Sequence, residues 1–214
     1  SDGGKVLSSL GYRISKDTRD NRFNPTSGYY YALSERFAGL GGDVNYLSSV
    51  LKGSYYYKYD YVDLIVGIGA EYGNIEGLGE NISKSNRFFL GGRKIRGFDS
   101  SGIGPRVSAN SSASAVGGNN YYTGRVSIRS GIGIPSETAL QWTVFTDFGT
   151  LWGVDDTIDN YAVSTDQEEL RMSFGYGFQW DTPIGPLSFT WADAIKKESY
   201  DQLQKFEFRL GSYF

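Results

Sequence analysis

The stretch KFEFRLGSYF, residues 205–214, alternates between apolar and mostly polar side chains. One set of alternate positions holds Phe206, Phe208, Leu210, Ser212 and Phe214, and the other holds Lys205, Glu207, Arg209, Gly211 and Tyr213. Because successive residues of a β-strand point to opposite faces, the stretch predicts a strand with one apolar and one charged face. Its length fits the ~9 to 11 residues that a tilted membrane-spanning strand needs.

The same two-residue period recurs upstream, which brings the predicted strand number to nine. The further segments are residues 7–15, 28–39, 46–59, 62–70, 121–134, 139–152, 170–180 and 187–191. Short connections at 58–61, 135–138 and 181–186 alternate with long ones at 40–45, 74–120, 153–169 and 196–204. Tight periplasmic turns opposite long extracellular loops are typical of outer-membrane barrels. The pattern therefore predicts an all-β, antiparallel transmembrane β-barrel with its C-terminus on the periplasmic side.

The composition favours strands and turns and excludes several functions. The chain has 17 Tyr, 13 Phe and 29 Gly, a net charge of -3, and neither cysteine nor histidine. Without a basic surface it lacks the charge that nucleic-acid binding requires. Without histidine it lacks the commonest general base and metal ligand. We therefore expect no enzyme, no catalytic residue, no cofactor and no metal ion.

A soluble antiparallel sandwich or lipocalin-like barrel would also alternate apolar with polar residues. Such a fold would have to bury nine stripes of large apolar side chains in one small interior, whereas the Gly, Ser, Thr and Arg of the opposite face suit a water-filled lumen. The membrane barrel, in the bacterial outer membrane, is the favoured interpretation. Bacterial single-chain barrels have even strand numbers and an open edge is costly in lipid. We therefore expect further strands before residue 1 or a second chain that completes the sheet.

Two short motifs point to a family. The connection 74–120 contains FFLGGRKIRGFD, residues 88–99, and a later strand contains FTDFG, residues 145–149. Together with the aromatic C-terminal strand, they resemble the BamA-type superfamily of outer-membrane assembly and secretion factors, in which (V/I)RG(F/Y) follows a Gly-Gly pair and FxDxG lies on a later strand. The matching residues are Ile95, Arg96, Gly97 and Phe98 in the loop and Phe145, Asp147 and Gly149 in the strand.

The resemblance covers essentially the whole chain. It implies that residues 1–214 are the last nine strands of a sixteen-stranded barrel, whose N-terminal strands and periplasmic POTRA domains are absent from this sequence. It also implies that the long loop folds into the lumen and that Arg96 meets Asp147, a pairing that suits the bidentate geometry of a guanidinium on a carboxylate. Relatives often carry an acid where this chain has Ser127. From the residues alone, Arg96 on a solvated surface loop, and Gly92 and Gly97 as ordinary flexible loop positions, stay open.

The resemblance implies a non-enzymatic factor that folds and inserts β-barrel proteins by pairing client strands at a lateral seam. Its partners would be the outer-membrane bilayer, unfolded outer-membrane protein clients, accessory assembly lipoproteins and periplasmic chaperones. The seam strand would carry Phe206, Phe208, Leu210, Gly211 and Phe214, although a plain closing strand explains these residues equally well. The alternatives are a two-partner secretion or autotransporter-assembly translocator, a passive porin and, as a third class, an outer-membrane hydrolase.

Overall fold

A computed structural model describes residues 6–109, 112–132, 140–155, 163–164, 168–182 and 185–210, and it contains fourteen strands. In chain order they are β1 (Ser9–Asp17), β2 (Gly28–Ala38), β3 (Tyr46–Tyr59), β4 (Leu64–Gly77), β5 (Gly97–Phe98), β6 (Arg106–Ala109), β7 (Ser112–Ala115), β8 (Asn120–Gly131), β9 (Leu140–Trp152), β10 (Val163–Ser164), β11 (Arg171–Thr182), β12 (Gly185–Lys196), β13 (Leu203–Gln204) and β14 (Phe206–Leu210). A single turn of 3₁₀ helix covers Lys84–Asn86.

Nine of these strands form one antiparallel sheet, in the order β1-β2-β3-β4-β8-β9-β11-β12-β14. Each strand pairs with the strands beside it in this order, so β1 and β14 are the two edges of the described sheet. The predicted nine-stranded antiparallel architecture is confirmed. The sheet is called the wall below.

The five remaining strands are short and lie in the connections. β10, β6 and β7 form a three-stranded sheet, and β13 pairs with β5. Strands of two to four residues show no measurable period, and for this reason the sequence did not predict them.

Several predicted boundaries need correction. β4 runs on to Gly77 because residues 74–77 continue their ladder with β3, as in the pair Tyr46↔Gly77. The long connection is therefore 78–119 rather than 74–120, and it is called the inner loop here. β12 is longer than the predicted 187–191, and β14 starts at Phe206 rather than Lys205. The predicted turn 135–138 and the residues Gly211 and Phe214 lie outside the described residues.

The two faces of the wall differ as the alternation predicted. On β11, Phe174, Tyr176 and Phe178 are exposed, whereas Arg171 and Ser173 on the other face are fully buried. The apolar stripe thus faces away from the packed interior, which excludes a soluble barrel with these aromatics inside. In the described part of the chain, no helix has the length and apolar character needed to cross a membrane.

The packed interior lies between the inner face of the wall and the inner loop. Its main cluster combines four loop residues with Tyr121 of β8 and Leu151 of β9. The loop residues are Leu90, Ile95, Phe98 and Ile103, each at most 1% exposed. Burying such a side chain contributes about 1.5 to 3 kcal/mol relative to leaving it in water. The inner loop is therefore held as a core element and not as a surface excursion.

Candidate functional site

Asp147 is the centre of the contact between the inner loop and the wall. Its side chain is fully buried on the inner face of β9 and receives three hydrogen bonds from Arg96. The Arg96 Nε donates to Oδ2 at 2.7 Å, Nη2 donates to Oδ1 at 2.8 Å, and the backbone N–H donates to Oδ2 at 3.1 Å. The structure thus places Arg96 in bidentate contact with Asp147 and not on a solvated surface. Bidentate, charge-assisted bonds of this kind are among the strongest polar contacts in proteins.

A second arginine shares the same carboxylate. Arg125 lies on β8 directly opposite Asp147, and its Nε donates to Oδ1 at 2.9 Å. Its Nη2 also donates to the backbone carbonyl of Arg93 in the inner loop at 2.7 Å. The position noted for a second acid, Ser127, instead lies opposite Phe145 and donates weakly to the Gly67 carbonyl at 3.4 Å. The cluster is therefore one acid between two arginines.

The three residues of the FxDxG motif face the loop together because they are two positions apart on one strand. The Arg96 guanidinium lies over the Phe145 ring, 3.1 Å from its centroid, in cation–π geometry. A Cβ on Gly149 would come within 2.8 Å of Ile95 Cδ1 and 2.3 Å of the Tyr122 carbonyl oxygen. The contact with the Tyr122 backbone excludes a larger residue at this position, and Ile95 of the loop packs over the glycine.

Two glycines of the loop motif adopt backbone conformations that other residues rarely reach. Gly97 has φ +92° and Gly92 has φ +54°. A side chain at Gly97 would also press against Ser173 and Ala192, with Cβ separations of 3.3 and 3.4 Å. Both positions therefore adopt conformations that glycine reaches most easily, which favours a structural role for these residues.

Burial dominates the electrostatics of Arg96. It lowers the pKa of this guanidinium to about 10, the nearby Arg125 cation acts in the same direction, and Asp147 opposes both. The side chain nevertheless stays protonated at neutral pH. The positive charge is thus retained where it contacts the acid.

A further anchor, which the sequence analysis missed, lies beside the motif. Lys94 Nζ of the loop contacts Glu71 Oε1 of β4 at 2.7 Å and lies 3.9 Å from the centre of the Tyr121 ring. The Tyr121 hydroxyl donates to the same Glu71 carboxylate. The predicted strand 62–70 ended before Glu71, and no motif marked Glu71 or Tyr121 as a partner of Lys94.

The terminal strand β14 is an edge of the described wall and bonds to β12. It pairs with β12 through Phe206↔Trp191, Phe208↔Phe189 and Leu210↔Leu187. Its three apolar residues are exposed on the outer face. Immediately before it, β13 pairs with the loop motif through β5. The structure therefore brings the loop motif and the start of the terminal strand together, which the sequence did not predict.

The contacts described above anchor the inner loop to the wall. Across the residues the structure describes, no three Asp or Glu side chains are grouped so as to hold a metal ion. A wall of antiparallel strands with an apolar outer face, and an inner face that binds a long loop through buried ions, defines the class of outer-membrane β-barrel proteins with an inward-folded loop.

Comparison with known proteins gives the family. The model of the Omp85 superfamily domain matches residues 1–214. The chain is 34% identical over 213 residues to the outer membrane protein assembly factor BamA of Neorickettsia risticii (strain Illinois), covering 99% of this chain and 28% of that protein. It is 25% identical over 221 residues to BamA of Neisseria meningitidis serogroup B, covering 93% of this chain and again 28% of the relative.

The fold agrees with this result. The crystal structure of BamA from Haemophilus ducreyi lacking POTRA domains 1–3 superimposes with a TM-score of 0.83 at 24% identity, covering 96% of this chain and 42% of that one. The chain belongs to the Omp85 superfamily, and its location is the bacterial outer membrane. It spans 28% of the length of the two curated relatives above.

Proposed function

We propose that this chain is the C-terminal part of the barrel of an outer-membrane protein assembly factor, which folds β-barrel proteins and inserts them into the bacterial outer membrane. The whole protein would add the preceding strands of a sixteen-stranded barrel and periplasmic POTRA domains. Support comes from the relatives named as assembly factors over nearly the whole of this chain. Folding and insertion break no covalent bond, so the function needs no catalytic residue.

The observation that carries the proposal is the Arg96–Asp147 contact under the inner loop. The contact fixes a large loop across the inner face, where a passive pore would need open space. Both motifs of the superfamily contribute to this contact. The Phe145 ring packs against the Arg96 guanidinium, and Ile95 packs over Gly149. We assign these residues the role of holding the loop in the conformation that supports assembly.

The terminal strand supplies the seam of the proposed mechanism. β14 is five residues long in the described region and pairs with β12 on one side, so its other edge would meet the first strand of the whole barrel, and its backbone groups would need a new partner when this seam opens. Unpaired backbone groups are costly in hydrocarbon, and an incoming client strand lowers this cost by pairing with them. Clients would thus be unfolded outer-membrane proteins, delivered by periplasmic chaperones and handled with accessory lipoproteins.

The Arg96→Ala variant of the full-length protein tests the proposal. We expect the wall to form, because Asp147 keeps Arg125, while the inner loop becomes sensitive to protease and outer-membrane protein levels fall in cells depleted of the wild-type protein. Arg22→Ala is the matched control, because the Arg22 side chain is 81% exposed and lies 3.7 Å from its acid. Normal outer-membrane protein levels together with unchanged protease resistance would contradict the assigned role.

The same experiment separates the alternatives. Loss of many unrelated barrel proteins supports a general assembly factor, whereas loss of one secreted partner or of autotransporters alone indicates a translocator. A passive porin would instead show large, steady single-channel currents in planar bilayers. The inner loop packed across part of the inner face predicts small and fluctuating currents.

A further inference from the structure

The residues just before the terminal strand leave the wall and bind the loop motif. In β13, Leu203 is opposite Phe98 and Gln204 is opposite Gly97. The chain then returns to the wall at the next residue, where the Lys205 carbonyl accepts a hydrogen bond from Ala192 N–H at 2.9 Å. The terminal strand thus begins directly after a segment that is part of the loop assembly.

The pairing continues beyond the two strands. The Asp99 N–H donates to the Gln202 carbonyl and the Gln202 N–H donates to the Gly102 carbonyl, both at 3.0 Å. A Cβ on Gly102 would lie 2.3 Å from the Gln202 oxygen, so the two backbones touch where only glycine fits. Both Asp99 and Gln202 are exposed, and their contact is therefore accessible to reagents.

A fully buried ion pair anchors the segment 198–204 to the start of β11. Arg171, the first residue of β11, contacts Asp201 with Nε to Oδ2 at 3.2 Å, and both side chains are 0% exposed. Arg171 also donates to the Tyr200 hydroxyl at 3.0 Å and to the Glu169 carbonyl at 2.7 Å. Asp201 in turn accepts a hydrogen bond from Glu198 N–H at 2.8 Å. Burying two charges is costly unless they are well bonded, so this pair specifies one position of the segment 198–204.

We infer that Arg171 and Asp201 are positioning residues that hold the segment 198–204 on the loop motif and thereby couple the inner loop to the start of the seam strand. This inference rests on the proposed function. The loop motif is bonded to β9 through Asp147 on one side and to β13 on the other. The start of β14 therefore cannot move away from the wall unless it separates from the loop motif or carries the loop with it.

Reversible crosslinking of the contact tests this coupling. The 214 residues contain no cysteine, so Asp99→Cys with Gln202→Cys, placed in a full-length protein in which any cysteine outside these residues is replaced by serine, introduces a defined pair at exposed positions. We expect the pair to oxidise readily, and the oxidised protein to lose most of its client insertion into proteoliposomes and to regain it with a reductant. Leu47→Cys with Glu76→Cys, register partners in β3 and β4 and both exposed, is the control pair, whose oxidation leaves insertion unchanged.

The second variant tests the ion pair itself. Asp201→Asn keeps the shape of the side chain but removes its charge, so we expect a lower crosslinking yield between positions 99 and 202. The barrel should still form, which its heat-dependent shift in gel mobility reports. Full insertion by the oxidised pair, failure of the pair to oxidise, or an unchanged yield in Asp201→Asn would each overturn the coupling. Absence of insertion by the cysteine-free protein would instead overturn the proposed function, and the coupling with it.

Discussion

Two buried ion clusters flank the loop motif, and they are built differently. Asp147 lies between two arginines, with Nε contacts of 2.7 Å to Arg96 and 2.9 Å to Arg125, on the central strands β8 and β9. Arg171 and Asp201 form a salt bridge at 3.2 Å that joins the start of β11 to the connection before β14. In the first cluster two arginines share one acid, whereas in the second the bonded pair is Arg171 and Asp201, whose carboxylate also acts electrostatically on the buried Arg106 cation.

This difference predicts how each cluster tolerates substitution. Removing Asp147 leaves the two cations of Arg96 and Arg125 without their carboxylate. Removing Arg171 leaves Asp201 without the cation it bonds. Removing Arg125 leaves Asp147 still bonded to Arg96. An uncompensated buried charge is the most destabilising outcome, so the expected effects fall in that order.

The largest effect is expected for Asp147→Asn. Arg96 and Arg125 then face one another without a carboxylate between them, in a site where the Asp147 side chain is 0% exposed. We expect a loss of about 5 kcal/mol in the free energy of unfolding, the upper part of the range for breaking buried pairs. Urea unfolding of the full-length protein in detergent micelles, followed by tryptophan fluorescence, measures it.

Asp193→Asn is the control for that substitution. Asp193 pairs with Lys205 at 2.6 Å, but the two side chains are 73% and 71% exposed. Exposed ion pairs are worth about 1 kcal/mol or less. If Asp147→Asn costs no more than Asp193→Asn, the shared acid does not hold the loop.

The two clusters also differ in how far the sequence could predict them. Arg96 and Asp147 lie in motifs, and the two-residue period placed Asp147 on the inner face. Arg125 was on the predicted polar face, but its partner depended on the register between β8 and β9, which no local pattern determines. Asp201 lies in a connection without periodicity, and nothing in the sequence separates it from the solvated acids around it.

The strands of the wall could be predicted because their pattern lies within each strand. Its nine strands repeat an alternation that water and lipid impose on every residue, so composition and period suffice to predict them. The short strands β5 and β13 exist because two connections meet in space, and contacts of that kind are not encoded within either segment. In the candidate site, the motif residues Arg96 and Asp147 could therefore be predicted from the sequence. Their partner Arg125 could not.

A middle effect is expected for Arg171→Met, which leaves Asp201 buried without its main cation. We expect a loss of about 3 kcal/mol, at the lower end for broken buried pairs, because the neighbouring Tyr200 and Glu198 contacts lie within a short connection that can shift toward water. Urea unfolding again measures it. The double variant Arg171→Met with Asp201→Leu removes both charges and is expected to recover part of the loss. A double variant less stable than either single variant would show that the pair is not the source of the effect.

The smallest effect is expected for Arg125→Ala, since Asp147 keeps all three hydrogen bonds from Arg96. The substitution removes the 2.9 Å contact to the acid and the bond to the Arg93 carbonyl, but it also relieves repulsion between two close guanidiniums. We therefore expect a loss of about 1 kcal/mol, the net value of an ordinary hydrogen bond, and only slightly faster proteolysis of the inner loop. A loss equal to that of Asp147→Asn would mean that the three side chains act as one cooperative network, in which the second arginine is as necessary as the acid.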